Sequence, residues 1–214
     1  MARRGHFLSF EGVDGAGKSS HIQRVHAHLQ SAGIDIVVTR EPGGTPTGEA
    51  LRELVLHKEM DLKTELMLMY AARQQHVKEV IEPALESGKW VLSDRFEDSS
   101  FAYQVSAGGL DWSDCQSLSK WTLKGFKPDL TFLFDLPLAV AKTRISGRGA
   151  GTDRFESKSD DYFEAVRKGF LKRAKQEPTR IILIDASKAE EEVGANVIQH
   201  LSHFMLKHRV VNDH

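Results

Sequence analysis

A chain of 214 residues with 40% hydrophobic content is long enough to bury one full core, and its formal net charge of −1 argues against DNA or another large polyanion as a partner. The single cysteine, Cys115, excludes a disulfide within the chain and favours a reducing compartment. No stretch approaches the ~20 apolar residues of a membrane-spanning helix. We therefore expect a cytoplasmic protein with no membrane partner. Because no linker or repeat interrupts residues 1–214, we also expect a single domain.

Five short apolar segments predict β-strands, at residues 7–10, 34–39, 90–93, 130–134 and 181–184. They show no clear polar–apolar alternation, which is typical of parallel strands covered on both faces. Helical spacing of apolar residues predicts helices after Ser19 and over residues 62–86, 138–145, 161–176 and 190–207. In the helix over residues 62–86, we expect Pro83 to bend or fray the last turn. This alternation predicts an α/β fold with three layers (α/β/α) around a five-stranded parallel sheet.

The first predicted strand leads into a segment that matches the phosphate-binding pattern G-x-x-x-x-G-K-[ST]. The glycines let the backbone approach phosphate groups closely, and successive N–H groups at a helix N-terminus can hold anionic oxygens. We expect Lys18 to lie between the β- and γ-phosphates of ATP and the Ser19 hydroxyl to bind Mg²⁺. A chance match in a glycine turn is disfavoured by the strand–loop–helix context. The expected ATP-binding residues are Gly12, Val13, Asp14, Gly15, Ala16, Gly17, Lys18, Ser19 and Ser20.

Arginines follow the second and third predicted strands, in the segments Arg40-Glu41-Pro42-Gly43-Gly44 and Asp94-Arg95. The carboxyl ends of parallel strands share one crevice with the phosphate-binding loop. Two arginines there suit a second phosphate that accepts the transferred group. The alternatives are an ordinary surface ion pair at the first and a helix cap at the second.

Residues 145–157 predict a lid, because glycines make this segment adaptable and Arg148 and Arg154 make it basic. Closing such a segment over ATP would exclude water, whose attack would otherwise compete with transfer. The alternative is a solvated basic loop.

Taken together, five segments resemble the thymidylate kinase family of P-loop nucleoside-monophosphate kinases. They are FEGVDGAGKSS at 10–20, TREPGGTP at 39–46, YAARQQHV at 70–77, SDRFEDSSFAYQ at 93–104 and DRFE at 153–156. The last fifty or so residues add little. The resemblance implies transfer of the ATP γ-phosphoryl group to dTMP, giving dTDP and ADP for dTTP synthesis. It also implies Mg²⁺ as cofactor and a homodimer built through helices beside the sheet.

The resemblance also implies a role for each site residue. Arg40 and Arg95 would hold the dTMP phosphate, Asp14 would organise it, and Asp94 would join Ser19 at the nucleotide's magnesium. The implied substrate-binding residues are Asp14, Arg40, Pro42, Met69, Arg73, Arg95, Ser99, Ser100, Tyr103 and Gln104. The implied catalytic residues are Lys18, Asp14, Arg95, Arg148 and Arg154.

The base and sugar contacts follow from the same resemblance. Arg73 would bond the thymine edge, which agrees with its chemistry, since a guanidinium only donates and suits a carbonyl, not the amine of cytosine. Tyr103 would pack under the deoxyribose and disfavour a 2′-hydroxyl. Gln104, with Ser99 or Ser100, would contact the base. Met69 stands where the family often has an aromatic residue, which leaves strictness for dTMP over dUMP open.

One group in the family has its catalytic arginine in the P-loop, whereas the other has it in the lid. The corresponding P-loop position here is Gly15, so the chain resembles the lid-arginine type common in bacteria, with Arg148 or Arg154 on the transferring phosphoryl group. Two rival functions stay open: another pyrimidine nucleotide or deoxynucleoside kinase, and a nucleotide-binding switch without transfer. The histidines show no metal-binding spacing.

Overall fold

Five parallel strands form one sheet in the computed structural model, which describes residues 4–146 and 158–208. The strand order is β2-β3-β1-β4-β5, so the first strand lies in the centre. Each strand begins within two residues of its predicted start. The strands are β1 (Phe7–Glu11), β2 (Ile36–Arg40), β3 (Trp90–Asp94), β4 (Leu130–Asp135) and β5 (Ile181–Asp185).

Helices connect these strands. They are α1 (Lys18–Ser31), α2 (Pro46–His57), α3 (Leu62–His76), α4 (Glu82–Glu86), α5 (Glu97–Ser100), α6 (Trp112–Leu123), α7 (Leu138–Ser146), α8 (Asp160–Gln176) and α9 (Glu190–Lys207). Two π-helical segments, Val77–Ile81 and Phe101–Ala107, continue α3 and α5.

The helix over residues 62–86 is confirmed, and of the two effects expected of Pro83, bending or fraying, fraying is absent because residues 82–86 stay helical. The π-helical segment Val77–Ile81 precedes α4, and Pro83 lies in the first turn of α4. A proline has no N–H to donate, and the regular α-helical pattern of hydrogen bonds is interrupted by the π-helical segment directly before it. Helices α2, α5 and α6 were not predicted. Helix α2 begins where the Thr45 side chain accepts a hydrogen bond from the Gly48 N–H, with Pro46 at the first helical position.

Two buried clusters cover the two faces of the sheet. Leu8 and Phe10 of β1 pack in the cluster that includes α1 and α9 residues, whereas Phe7 packs in the cluster that includes Tyr70 of α3. This confirms the three layers and explains why the inner strands β1, β3 and β4 lack alternation. Within the described residues, no helix is long and apolar enough to cross a membrane.

Strand register brings the carboxyl ends of three strands together. Phe10 pairs with Asp94 between β1 and β3, and Arg40 pairs with Asp94 between β2 and β3. The loop after β1 therefore begins beside the residues that follow β3, as expected for a crevice at the carboxyl ends of parallel strands.

Candidate active site

The loop between β1 and α1 needs its glycines. Gly12 has φ of +135°, and a Cβ added to it would lie 2.4 Å from the Phe134 carbonyl oxygen. Gly15 and Gly17 also have positive φ, of +80° and +83°. Backbone with this geometry turns sharply into the N-terminus of α1, which favours a negatively charged ligand.

Lys18 is buried at the start of α1 and faces back into this loop. Its Nζ donates to the carbonyl oxygens of Gly12 at 3.1 Å and Val13 at 3.2 Å and lies 3.7 Å from Asp14 Oδ1. Burial, with repulsion from Arg95, lowers the pKa of Lys18. The amine is thus held at the loop whose N–H groups would bind phosphate.

Arg95 connects the loop after β3 to the loop after β1. Its Nη2 donates to Asp14 Oδ1 at 2.7 Å, and its Nη1 donates to the Gly12 carbonyl oxygen at 3.0 Å and to Ser99 Oγ at 3.2 Å. Burial alone would raise the pKa of Asp14, but the charges of Arg95 and Lys18 outweigh it and lower that pKa to about 2. Arg95 has φ of +70°, a strained conformation for a residue with a side chain.

A cavity of about 260 Å³ lies against Asp14 and Arg95. Every residue of the expected substrate-binding set except Arg40 lines it. The remaining lining residues are Glu41, Arg52, Leu56 and Phe96. The carboxyl ends of β1, β2 and β3 and one face of α3 thus meet at one concave site, the place where small ligands bind in open α/β sheets.

Arg73 is fixed in the cavity wall by three hydrogen bonds. Its Nε donates to Glu41 Oε2 at 2.6 Å, Nη1 to Ser100 Oγ at 3.1 Å, and Nη2 to the Phe96 carbonyl oxygen at 3.1 Å. Both members of the Arg73–Glu41 pair are buried. Burial opposes the charge of Arg73, but Glu41 outweighs it and raises the pKa of the guanidinium. His76 holds the other oxygen of Glu41 at 3.0 Å.

A second hollow, of about 290 Å³, also borders the phosphate-binding loop. Its wall includes loop residues 15–17, Arg144 at the end of α7, and Lys188 before α9. Two ligand-sized spaces therefore share this loop, and Asp14 and Arg95 face the first of them.

Comparison with known proteins agrees with this geometry. Residues 10–197 match the profile of the family described as Thymidylate kinase. The thymidylate kinase of Methylobacillus flagellatus is 46% identical over 201 residues, which cover 94% of this chain and 98% of that protein. That of Cupriavidus metallidurans is 50% identical over 190 residues, covering 89% and 94%.

The chain belongs to the thymidylate kinase family.

A crystal structure of thymidylate kinase from Ehrlichia chaffeensis agrees in fold. It superposes with a TM-score of 0.74 at 31% identity and covers 93% of this chain and 99% of that one. The resemblance to the thymidylate kinase family and the α/β fold are therefore confirmed.

Arg40 is the member of the expected set that the structure does not bring into the cavity. Its side chain is 56% exposed, and Nη2 donates to Glu49 Oε2 at 3.0 Å. Arg52 lies there instead, on α2, and donates to the Pro42 carbonyl oxygen at 2.9 Å. Arg52 was not predicted as a site residue because α2 itself was not predicted.

Magnesium binding fits the residues present. Asp94 Oδ1 is buried and has no hydrogen-bond partner among the described residues, and Ser19 is an exposed residue at the start of α1. Carboxylate and hydroxyl oxygens are the donors that Mg²⁺ prefers. The lid residues Arg148 and Arg154 lie outside the described residues, as does most of the lid over 145–157.

Glu11, at the end of β1, was missed by the sequence analysis. Its Oε1 accepts a hydrogen bond from the Phe96 N–H at 2.8 Å, and its Oε2 accepts one from Ser99 Oγ at 2.7 Å. Burial, with repulsion from Asp98, raises the pKa of Glu11 to about 8. Glu11 therefore supports the loop that carries Arg95 and binds a proton near neutral pH.

We expect Glu11→Gln to flatten the dependence of stability on pH. A carboxyl group with a raised folded pKa favours folding at low pH, and this contribution is lost as pH rises from the unfolded value of about 4.3 to about 8. Glutamine resembles the protonated form and does not titrate. Urea unfolding at pH 5, 6.5 and 8 should show the wild type losing more stability than the variant; parallel curves would contradict this.

Proposed function

We propose that this kinase transfers the γ-phosphoryl group of ATP to dTMP, giving dTDP and ADP for dTTP synthesis. One observation carries the proposal: Asp14 of the phosphate-binding loop is paired with Arg95, and both line the 260 Å³ cavity. A monophosphate in that cavity would have its phosphate beside the γ-phosphate of ATP on the loop. Such placement favours in-line transfer.

Phosphoryl transfer requires that the two substrates are positioned and their negative charge is neutralised, and it needs no strong general base. The acceptor phosphate is already anionic near neutral pH. Lys18 would neutralise charge between the β- and γ-phosphates, and Arg95 would hold the acceptor phosphate against them. We also propose Arg40 as a phosphate ligand, although its present contact is with Glu49, and Arg52 as a further cation of the cavity.

Arg73 would read the nucleobase. Its guanidinium is held by Glu41 and Ser100, so its orientation is set before a ligand binds. It can only donate hydrogen bonds and therefore suits a thymine carbonyl. Tyr103 would pack under the deoxyribose, and Met69 would lie against the base as a flexible thioether. Pro42, Ser99, Ser100 and Gln104 would complete the acceptor site.

Magnesium would be held by Ser19 and Asp94 together with the nucleotide, and it would supply positive charge to the phosphate oxygens. Residues 12–20 would bind the phosphates of ATP. We also propose that the lid over residues 145–157 closes on the site and supplies Arg148 or Arg154 to the transferring phosphoryl group. An arginine in that role is worth ~10³–10⁵ in rate.

We further propose a single cytoplasmic domain that forms a homodimer. Large apolar side chains on two neighbouring helices support a protein partner: Met67 on α3 is 54% exposed, and Trp121 on α6 is 76% exposed. Exposed aromatic and methionine side chains are enriched in interfaces. Sedimentation of the wild type and of Trp121→Lys tests this, since the variant should shift toward monomer.

The function is tested by measuring ADP release from ATP–Mg²⁺ with a panel of acceptors: dTMP, dUMP, dCMP, UMP, CMP, AMP, GMP and thymidine. We expect a clear preference for dTMP. A preference for another monophosphate would overturn the base assignment, and activity with thymidine alone would identify a nucleoside kinase. No transfer by folded protein that binds ATP would favour a nucleotide-binding switch.

A further inference from the structure

Gln104 presents a buried hydrogen-bond acceptor at the cavity wall. It lies in the π-helical segment Phe101–Ala107, is fully buried and lines the 260 Å³ cavity. Its Nε2 donates to Glu65 Oε1 at 2.7 Å. Its Oε1 has no hydrogen-bond partner among the described residues. A buried carbonyl oxygen without a partner is uncommon and points to a ligand.

Glu65 decides which way this amide faces. A carboxylate offers only acceptor oxygens, so the NH₂ group of Gln104 must face Glu65 and the oxygen must face away from it. Glu65 is itself buried on α3. It lies four and eight residues before Met69 and Arg73, so the three share one face of the helix. Met69 and Arg73 line the same cavity.

We propose that Glu65 is a positioning residue that makes the acceptor site select a base carrying an N–H at ring position 3. With Glu65 in place, Gln104 offers an acceptor to the base and Arg73 offers donors. Thymine and uracil match this pattern, because N3 donates and the 4-carbonyl accepts. Cytosine presents the reverse, with an acceptor at N3 and an amine at position 4. This inference rests on the proposed function.

The test is Glu65→Gln, which keeps the side-chain size but offers both a donor and an acceptor to Gln104. Either orientation of the Gln104 amide is then satisfied, so its NH₂ can face N3 of cytosine. We expect the ratio of kcat/KM for dTMP to that for dCMP to fall about tenfold, the effect of about one hydrogen bond. The change should appear in KM for the two acceptors, with KM for ATP unchanged.

Two further variants make the result decisive. Glu65→Met removes the carboxylate at similar volume and should lower the ratio in the same direction, so it replaces Glu65→Gln if that variant does not fold. Lys63→Gln is the matched control, because Lys63 is exposed on the same helix and pairs with Asp114. It should leave the ratio unchanged.

The outcomes separate this inference from the proposed function. A wild type that phosphorylates dTMP, with folded Glu65 variants whose dTMP-to-dCMP ratio is unchanged, overturns the role of Glu65 alone. An equal fall in kcat for both acceptors would mean a merely structural role and also overturns it. A wild type that does not phosphorylate dTMP removes both proposals.

Discussion

Replacing Arg95 with glycine is expected to lower kcat/KM for dTMP by about 10³-fold while the protein stays folded. Arg95 is the side chain that connects Asp14, the Gly12 carbonyl oxygen and Ser99, and it lines the acceptor cavity. Glycine accepts the φ of +70° found at this position, so the loop keeps its course. Asp14 retains Lys18 as a charge partner at 3.7 Å.

The measurement is steady-state kinetics with dTMP as the varied substrate, alongside ATP affinity measured in the absence of acceptor. Lys78→Ala is the control, since it removes a cation whose ion pair with Glu82 is exposed, and it should leave kcat/KM unchanged. An Arg95→Gly enzyme within tenfold of wild type would contradict the assignment of the acceptor phosphate to this residue.

Replacing Asp98 with alanine should destabilise the fold by about 3–5 kcal/mol, the usual effect of removing one partner from a buried ion pair. Asp98 is buried behind the site, where its Oδ1 accepts from Arg173 Nε at 2.8 Å and its Oδ2 from Arg180 Nη1 at 2.9 Å. Both arginines are also buried. Glu177 would remain as their acidic partner and would offset part of the loss.

Urea unfolding at pH 7 measures this effect. Asp114→Ala is the matched control, because its pair with Lys63 is exposed, and it should cost at most about 1 kcal/mol. Burial opposes ionisation of Asp98, but Arg180 and Arg173 lower its pKa. Its contribution is therefore complete above the unfolded value of about 3.9 and is lost as pH falls below it. An Asp98→Ala loss no larger than the control's would refute the account.

The fold was largely predictable because the three inner strands of its sheet are buried on both faces and the two edge strands are rich in β-branched residues. Strands of that kind appear as short runs of Val, Ile, Leu and Phe, and all five were found to within two residues at their starts. Helix α2 was missed because its start, Thr45 and Pro46, follows two glycines, a composition that is also typical of turns. Helix α6 was missed because its segment is largely polar. Its buried residues are Cys115 and Leu123.

The site was predictable where residues stand directly after strands, as Arg95 does. It was not predictable where a residue acts through another. Glu11 and Glu65 are buried acids that hold Ser99 and Gln104, and nothing in their own segments distinguishes them from surface acids. Arg40 is the reverse case. Its position directly after β2 predicted a side chain in the cavity, but the sequence does not show that this side chain pairs with Glu49 instead.

The most direct test of the central claim is to follow the γ-phosphoryl group itself. Protein is incubated with Mg²⁺, dTMP and ATP labelled at the γ-phosphate, with thymidine in a parallel reaction, and the products are separated. We predict that the label appears in dTDP in equal amount to the ADP formed, and that thymidine receives none. Label released as free phosphate, or found only in the thymidine reaction, would contradict the account.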